Sequence, residues 1–113
     1  MNLKVFSLEN CYYSMSANNL LKYEDINFNL ESVNHNNKEM YKNKNKMNTF
    51  PQIFLEDKNL NIKIGGYSEL KFIIDVIKNY KNFDIIYNKL LDKLNLPQKE
   101  ILLIIKYFTN IYY

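Results

Sequence analysis

The sequence predicts an α/β fold: a mixed four-stranded sheet flanked by helices, extended at its C-terminal end by extra helices. Three observations carry this. Over about the first eighty residues the apolar positions switch between a period of two and a period near 3.6, the alternation of strands with helices. Two apolar runs separated by the polar loop Glu56-Asp57-Lys58-Asn59 signal a hairpin, and hence an antiparallel pair within the sheet. Beyond residue 82 only the helical period remains.

Taken in order, Leu3-Lys4-Val5-Phe6-Ser7 reads as a short, largely buried strand. After Cys11, Tyr13, Ala17, Leu20 and Leu21 recur at helical spacing. Ile26, Phe28 and Leu30 then alternate with Asn27 and Asn29, as a half-buried strand requires. Short connections make this a βαβ unit with its two strands parallel. Asn36 or Asn37 is placed to cap a short helix running to about Lys46, in a weak register because polar residues dominate it. Gln52-Ile53-Phe54-Leu55 and Leu60-Asn61-Ile62-Lys63-Ile64 are the hairpin strands, and Gly65-Gly66 supplies a sharp turn free of Cβ clashes. Leu70, Ile73, Ile74 and Ile77 mark the buried face of the next helix, and Phe83, Ile86, Tyr87, Leu90 and Leu94 the stripe of another. Pro97 sits where a first helical turn tolerates it, opening a helix with Ile101, Ile104, Ile105 and Phe108 inward and Leu102 and Leu103 off that face. A helix this apolar has to be covered, by the rest of the chain or by a second copy.

At 113 residues one modest core can form without a metal or disulfide framework. With a single cysteine and a single histidine, no internal disulfide can form, and Cys11 with His35 cannot complete a zinc site. All 15 basic residues are lysines and 19 residues are asparagine, a bias of composition that carries no function of its own. The net charge of +3 divides as 11 lysines against 9 acids up to residue 82, and 4 against 3 after it. Neither half is charged enough for a phosphate-tracking surface, so no nucleic-acid partner is expected. The basic stretch from Lys38 to Lys46 reads as a solvated helix face. The start lacks an apolar leader core, and the run from Ile101 to Ile105 ends at Lys106, too short to span a bilayer. The expectation is a cytoplasmic protein with no membrane partner, in a compartment where a lone thiol stays reduced.

The candidate chemistry centres on Cys11, which falls directly between the first strand and the first helix. Free N–H groups and the positive end of a helix stabilise a thiolate placed there. Cys11-Tyr12-Tyr13-Ser14 has the spacing of a redox C-x-x-C site with its second cysteine replaced. Ser14, one turn on, can donate a hydrogen bond to the thiolate but cannot resolve a mixed disulfide. Taken alone, a lone cysteine is more often an inert buried hydrophobe.

Two further segments change that balance. Asn48-Thr49-Phe50-Pro51-Gln52-Ile53-Phe54, followed by Ile64-Gly65-Gly66-Tyr67-Ser68-Glu69-Leu70, resembles the glutaredoxin family, whose pattern is T-V-P-Q-I-F and then G-G-x-[DS]-[DE]-L. Cys11-Tyr12-Tyr13-Ser14 is similar to that family's C-P-Y-C/S site, and Ala17 with Leu20 and Leu21 to the helix behind it. The likeness covers residues 3 to about 80 in the right order and spacing. It implies a thioredoxin-like fold for residues 1–82 and leaves residues 83–113 as a C-terminal helical extension, packed on that domain or on a second subunit as a homodimer. It also implies that Cys11 is the nucleophile and that Pro51 is cis, letting the Phe50 backbone pair with the cysteinyl part of glutathione. Thr49 would flank that contact and Tyr13 would line the groove beside the sulfur. Gly66, Tyr67 and Ser68 would hold the γ-glutamyl end, and Lys38 would meet the glycyl carboxylate.

The sequence departs from the family at two positions. Leu8 stands where a lysine three residues before the cysteine usually supports the thiolate, with the acid Glu9 next to it, and Tyr12 replaces the proline after the cysteine. The resemblance implies a monothiol glutathione-dependent oxidoreductase, with glutathione as co-substrate and glutathionylated proteins as partners. Two alternatives stand beside it. Two copies of Cys11 and two glutathione thiols would ligate a [2Fe–2S] cluster in a dimer, although the C-G-F-S signature of that class is absent. A non-catalytic scaffold would instead use its C-terminal helices for partner binding.

Overall fold

The computed structural model describes every residue from Met1 to Tyr113. In chain order the elements are β1 (Asn2–Leu8), α1 (Tyr12–Tyr23), β2 (Asn29–Val33), α2 (Lys38–Asn45), β3 (Gln52–Asp57), β4 (Leu60–Gly65), α3 (Tyr67–Asn79), α4 (Phe83–Leu94) and α5 (Gln98–Tyr112). The four strands form one mixed sheet in the order β2-β1-β3-β4. β1 runs parallel to β2 and antiparallel to β3, and β3 is antiparallel to β4. This is the α/β order that the two hydrophobic periods predict. Two compact units divide the chain, Met1–Ser68 and Glu69–Tyr113, and the division falls at the first turn of α3.

In the first unit the pleat separates two sets of side chains. Leu3 and Val5 of β1 pair with Leu55 and Ile53 of β3, and all four are buried. The same face carries Ser7, whose hydroxyl donates to Asn18 Oδ1 on α1 at 3.1 Å. On the opposite face Phe6, Val33, Phe50 and Phe54 form a buried cluster against which Tyr41, at the centre of α2, and Met47 pack. Phe6 meets Phe54 edge-on at 5.9 Å and Tyr41 at 5.5 Å. α2 has no fully buried residue of its own, as its Lys/Asn composition leads one to expect.

Three local features differ from the sequence reading, each for a backbone reason. The second strand begins at Asn29 rather than Ile26, and Leu30 is exposed. Ile26 belongs to the helix end: Asp25 adopts φ 57°, the Ile26 N–H bonds to Leu21 O and the Asp25 N–H to Lys22 O. That is a Schellman cap, with Ile26 and Leu21 both buried as its hydrophobic pair. The hairpin loop is two residues, Lys58-Asn59, because Glu56 and Asp57 continue β3 and pair with Asn61 and Leu60. The side chain of Asn37 does not cap α2; instead Asn34 Oδ1 accepts the Asn37 N–H at 3.0 Å.

In the second unit the expected faces are buried: Leu70, Ile73, Ile74 and Ile77 of α3, joined by Val76, and Ile101, Ile104, Ile105 and Phe108 of α5. Ile86 and Leu90 are the buried positions of α4, whereas Phe83 is half-exposed and stacks on Tyr87 at 5.9 Å. Asn82 Oδ1 caps α4 by accepting the Ile85 N–H. The Tyr113 hydroxyl donates to Ile77 O at 3.0 Å, tying the end of the chain to the last turn of α3. No helix is long and apolar enough to cross a membrane.

Two outcomes follow. Phe108→Ala removes a fully buried ring and is expected to cost about 3–5 kcal/mol, read from urea denaturation. The second concerns Glu31, whose carboxylate accepts a hydrogen bond from Tyr41 and an ion pair from Lys4 at 3.2 Å. The Tyr41 hydroxyl first, and Lys4 second, hold Glu31 below its ordinary value of 4.5, and the same bond raises Tyr41 above 10.0. A depressed carboxylate contributes stability above its unfolded value and loses it as pH falls through the lower folded value. The raised tyrosine contributes below its unfolded value and loses that as pH rises through the higher folded one. Tyr41→Phe is therefore expected to return the Glu31 titration, followed by NMR, toward the ordinary range. It should lower stability at about pH 7 and leave it nearly unchanged well below the carboxylate range.

Candidate functional site

The site is assembled by the turn between β1 and α1. The Glu9 N–H bonds to Val33 O at 2.9 Å, extending the parallel pairing one residue past β1. Asn10 then takes φ 57°, a left-handed conformation asparagine tolerates well, and the chain reverses into α1. Cys11 is the N-cap, in an extended conformation of φ −100° and ψ 122°, and its carbonyl accepts the Met15 N–H. Its side chain makes no cap hydrogen bond. The first-turn N–H groups of a helix lack intrahelical partners, so those of α1 face whatever anion the cap residue presents.

Cys11 is half-buried, packed at the margin of the phenylalanine cluster, and its thiol reaches Phe50 O at 3.9 Å. The Phe50–Pro51 peptide is cis. Phe50 and Pro51 are buried while Thr49 beside them is exposed. The segment is fixed from behind by Gln52, which is fully buried and satisfied on both sides. Gln52 Oε1 accepts from Asn45 Nδ2 at 2.7 Å, and its Nε2 donates to Met47 O at 3.4 Å.

Ser14 is buried, and its hydroxyl oxygen accepts the Leu8 N–H at 3.1 Å. It thus ties the first turn of α1 to the end of β1. That bond uses a lone pair, and the O–H remains a donor. Tyr13 is exposed, with its ring 6.3 Å from that of Tyr67 and 5.3 Å from that of Tyr12. Gly65 closes β4 at φ 128°, a value that favours glycine, and Gly66, Tyr67 and Ser68 follow at the start of α3. Lys38 opens α2, half-buried, with no hydrogen bond or ion pair to Cys11 or Tyr13.

The contacts thus bring Cys11 to Phe50, with Thr49 next to it in the chain, and Tyr13 to Tyr67, while no hydrogen bond or ion pair joins Lys38 to either pair. Two contributors escape a reading of the sequence. His35 Nε2 lies 2.9 Å from Glu9 O, and because a carbonyl only accepts, Nε2 carries the proton. This bond joins the loop after β2 to the turn holding Cys11. The Asn45–Gln52–Met47 link is the other. The first spans 26 positions and the second joins the end of α2 to the start of β3 through side-chain amides, and no periodicity signals either.

No family model matches the chain, and no curated protein matches it in sequence. Among solved structures it is similar to glutaredoxin 1 from Francisella tularensis, crystallised in complex with cacodylate. The identity is 26%, the TM-score 0.56, and the match covers 70% of this chain and 98% of that one. The class of the fold is accordingly thioredoxin-like, of the glutaredoxin type. The likeness supports a glutaredoxin-like redox function.

Ser14→Ala leaves the part-buried Leu8 N–H without its acceptor. The expected loss is about 1–3 kcal/mol in urea denaturation, the cost of an unsatisfied buried donor.

Proposed function

We propose that this protein is a monothiol, glutathione-dependent thiol–disulfide oxidoreductase that reduces protein–glutathione mixed disulfides through Cys11 in the cytoplasm. One observation carries the reading: the chain's only thiol is the N-cap of α1 and lies against the carbonyl of the residue before a cis proline. In the first step the Cys11 thiolate attacks the glutathione sulfur of the mixed disulfide. A Cys11–glutathione bond forms and the target's thiolate leaves. In the second, the thiolate of another glutathione attacks the glutathione sulfur on Cys11, releasing oxidised glutathione and restoring the Cys11 thiolate. Atoms and electrons balance with glutathione as reductant.

The remaining roles follow the same reading. The first-turn N–H groups of α1 stabilise the thiolate in both leaving and attacking forms, and Ser14 supports them by holding the turn to β1. The Phe50 backbone pairs with the cysteinyl portion of glutathione, with Thr49 at its margin. Tyr13 lines the groove, Gly66, Tyr67 and Ser68 bind the γ-glutamyl carboxylate, and Lys38 binds the glycyl carboxylate.

The test is intact mass spectrometry of the folded protein after exposure to oxidised glutathione. One glutathione adduct on Cys11, lost on adding reduced glutathione, is expected, and no adduct would overturn the reading. Cys11→Ser should reduce turnover of a glutathionylated peptide to background. Lys38→Gln should raise KM for glutathione about two- to fivefold, the worth of one partly exposed ion pair, with kcat little changed.

A further inference from the structure

We infer that the rim beside Cys11 selects glutathionylated protein segments carrying a lysine or arginine next to the modified cysteine. The inference rests on the oxidoreductase reading and names the substrate class of that same site. Its first observation is an aromatic cluster. Tyr12 and Tyr13 are 70% and 59% exposed at the first turn of α1, their rings edge to face, and Tyr13 leans on Tyr67. Three electron-rich rings therefore lie together, two of them directly following Cys11 in the chain. A ring face attracts a cation lying within about 6 Å of its centroid.

The second observation is how the chain treats its other rings. Lys89 lies 5.0 Å from the Tyr80 ring, Lys93 5.6 Å from Phe72 and Lys44 5.8 Å from Tyr41. In a chain with 15 lysines, none lies over Tyr12, Tyr13 or Tyr67. The third is charge. Glu9, two residues before the thiol, is exposed and makes no ion pair within the chain. Beyond Tyr12 a shallow groove of about 420 Å³ runs along α1 between Asn10, Met15, Ser16 and Asn19. Its lining is amide, hydroxyl and thioether, with no charge to repel a cationic segment. Aromatic faces and a free carboxylate beside a neutral groove complement a basic segment and disfavour an acidic one, whose carboxylate would face Glu9 and the tyrosine ring faces. Tyr12 stands outside the proposed glutathione contacts, so it acts on the target and not on the reductant.

The experiment uses the full chain and three peptides that differ only in the residues flanking the glutathionylated cysteine: lysine, glutamine or glutamate. A small neutral glutathione mixed disulfide serves as reference substrate. The expected order of kcat/KM is lysine, then glutamine, then glutamate, with about a tenfold span that narrows as salt rises. Tyr12→Leu should cut the lysine-to-glutamine ratio about two- to fivefold, Tyr12→Phe should retain most of it, and Glu9→Gln should raise turnover of the glutamate peptide. All three variants should turn over the small disulfide as the parent does. Turnover of the peptides without this order, or a ratio unchanged in Tyr12→Leu, overturns the inference and leaves the oxidoreductase reading standing. No turnover of any substrate, the small disulfide included, overturns both.

Discussion

The antiparallel pairing of β1 with β3 is the constraint on which the rest of the site depends. Phe6 opposite Gln52 sets the end of β1 beside the beginning of β3. The residues just past one strand and just before the other therefore meet, although 39 positions separate Cys11 from Phe50. The remaining strands obey the same geometry. β2 is parallel to β1, and β4, antiparallel to β3, runs in the direction of β1. All three of these strands finish at the edge where β3 starts. Lys38, Cys11 and Gly66 each follow the C-terminal end of one of them. A slip of one residue between β1 and β3 would turn Phe6 and Phe54 out of their cluster, so the buried faces hold the register that holds the site.

Much of this was legible from periodicity, and the failures share a cause. Strands with two buried faces or a clear alternation, and helices with a full apolar stripe such as α3 and α5, announce themselves through side chains. What periodicity misses is decided by the backbone. Ile26 continues a period of two, yet it is the hydrophobic member of a helix cap. Glu56 and Asp57 look like loop and extend a strand, because a hairpin ladder needs only their peptide groups. Phe83 completes a helical stripe and still lies half-exposed, directly after the Asn82 cap at the first position of α4. At the site, Cys11 and the Phe50-Pro51 and Gly65-Gly66 segments were visible because unusual backbone demands rare residue types. The His35–Glu9 and Asn45–Gln52 bonds were not, because histidine and asparagine serve many purposes and 19 asparagines mask the one that matters here.

The site is thus built in two kinds of material. Its centre is backbone: the α1 N-terminus, the Phe50 carbonyl and the turn after Gly65. Each tolerates drift in surrounding side chains provided that a cysteine, a proline and a glycine stay in place. On the proposed reading its rim is side chain: Lys38, Tyr13 and Tyr67, with Leu8 and Tyr12 standing where the glutaredoxin pattern has other residues and Glu9 beside Leu8. In the proposed function the chemistry common to many substrates belongs to the centre and discrimination among them to the rim.

That division also explains why a single cysteine is sufficient for the proposed cycle. Ser14 occupies the place of a second thiol, but it is buried and its oxygen is turned to the Leu8 N–H. It thereby closes the first turn of α1 onto β1, which keeps Cys11 at the cap and its sulfur at the Phe50 carbonyl. A resolving thiol would have to leave such a bond in order to reach Cys11. With serine there the helix start stays anchored throughout, and the second sulfur must arrive from solution. In the proposed cycle both partners meet one sulfur, glutathione over the Phe50 backbone and beside Tyr13 and Tyr67, the target over Tyr12.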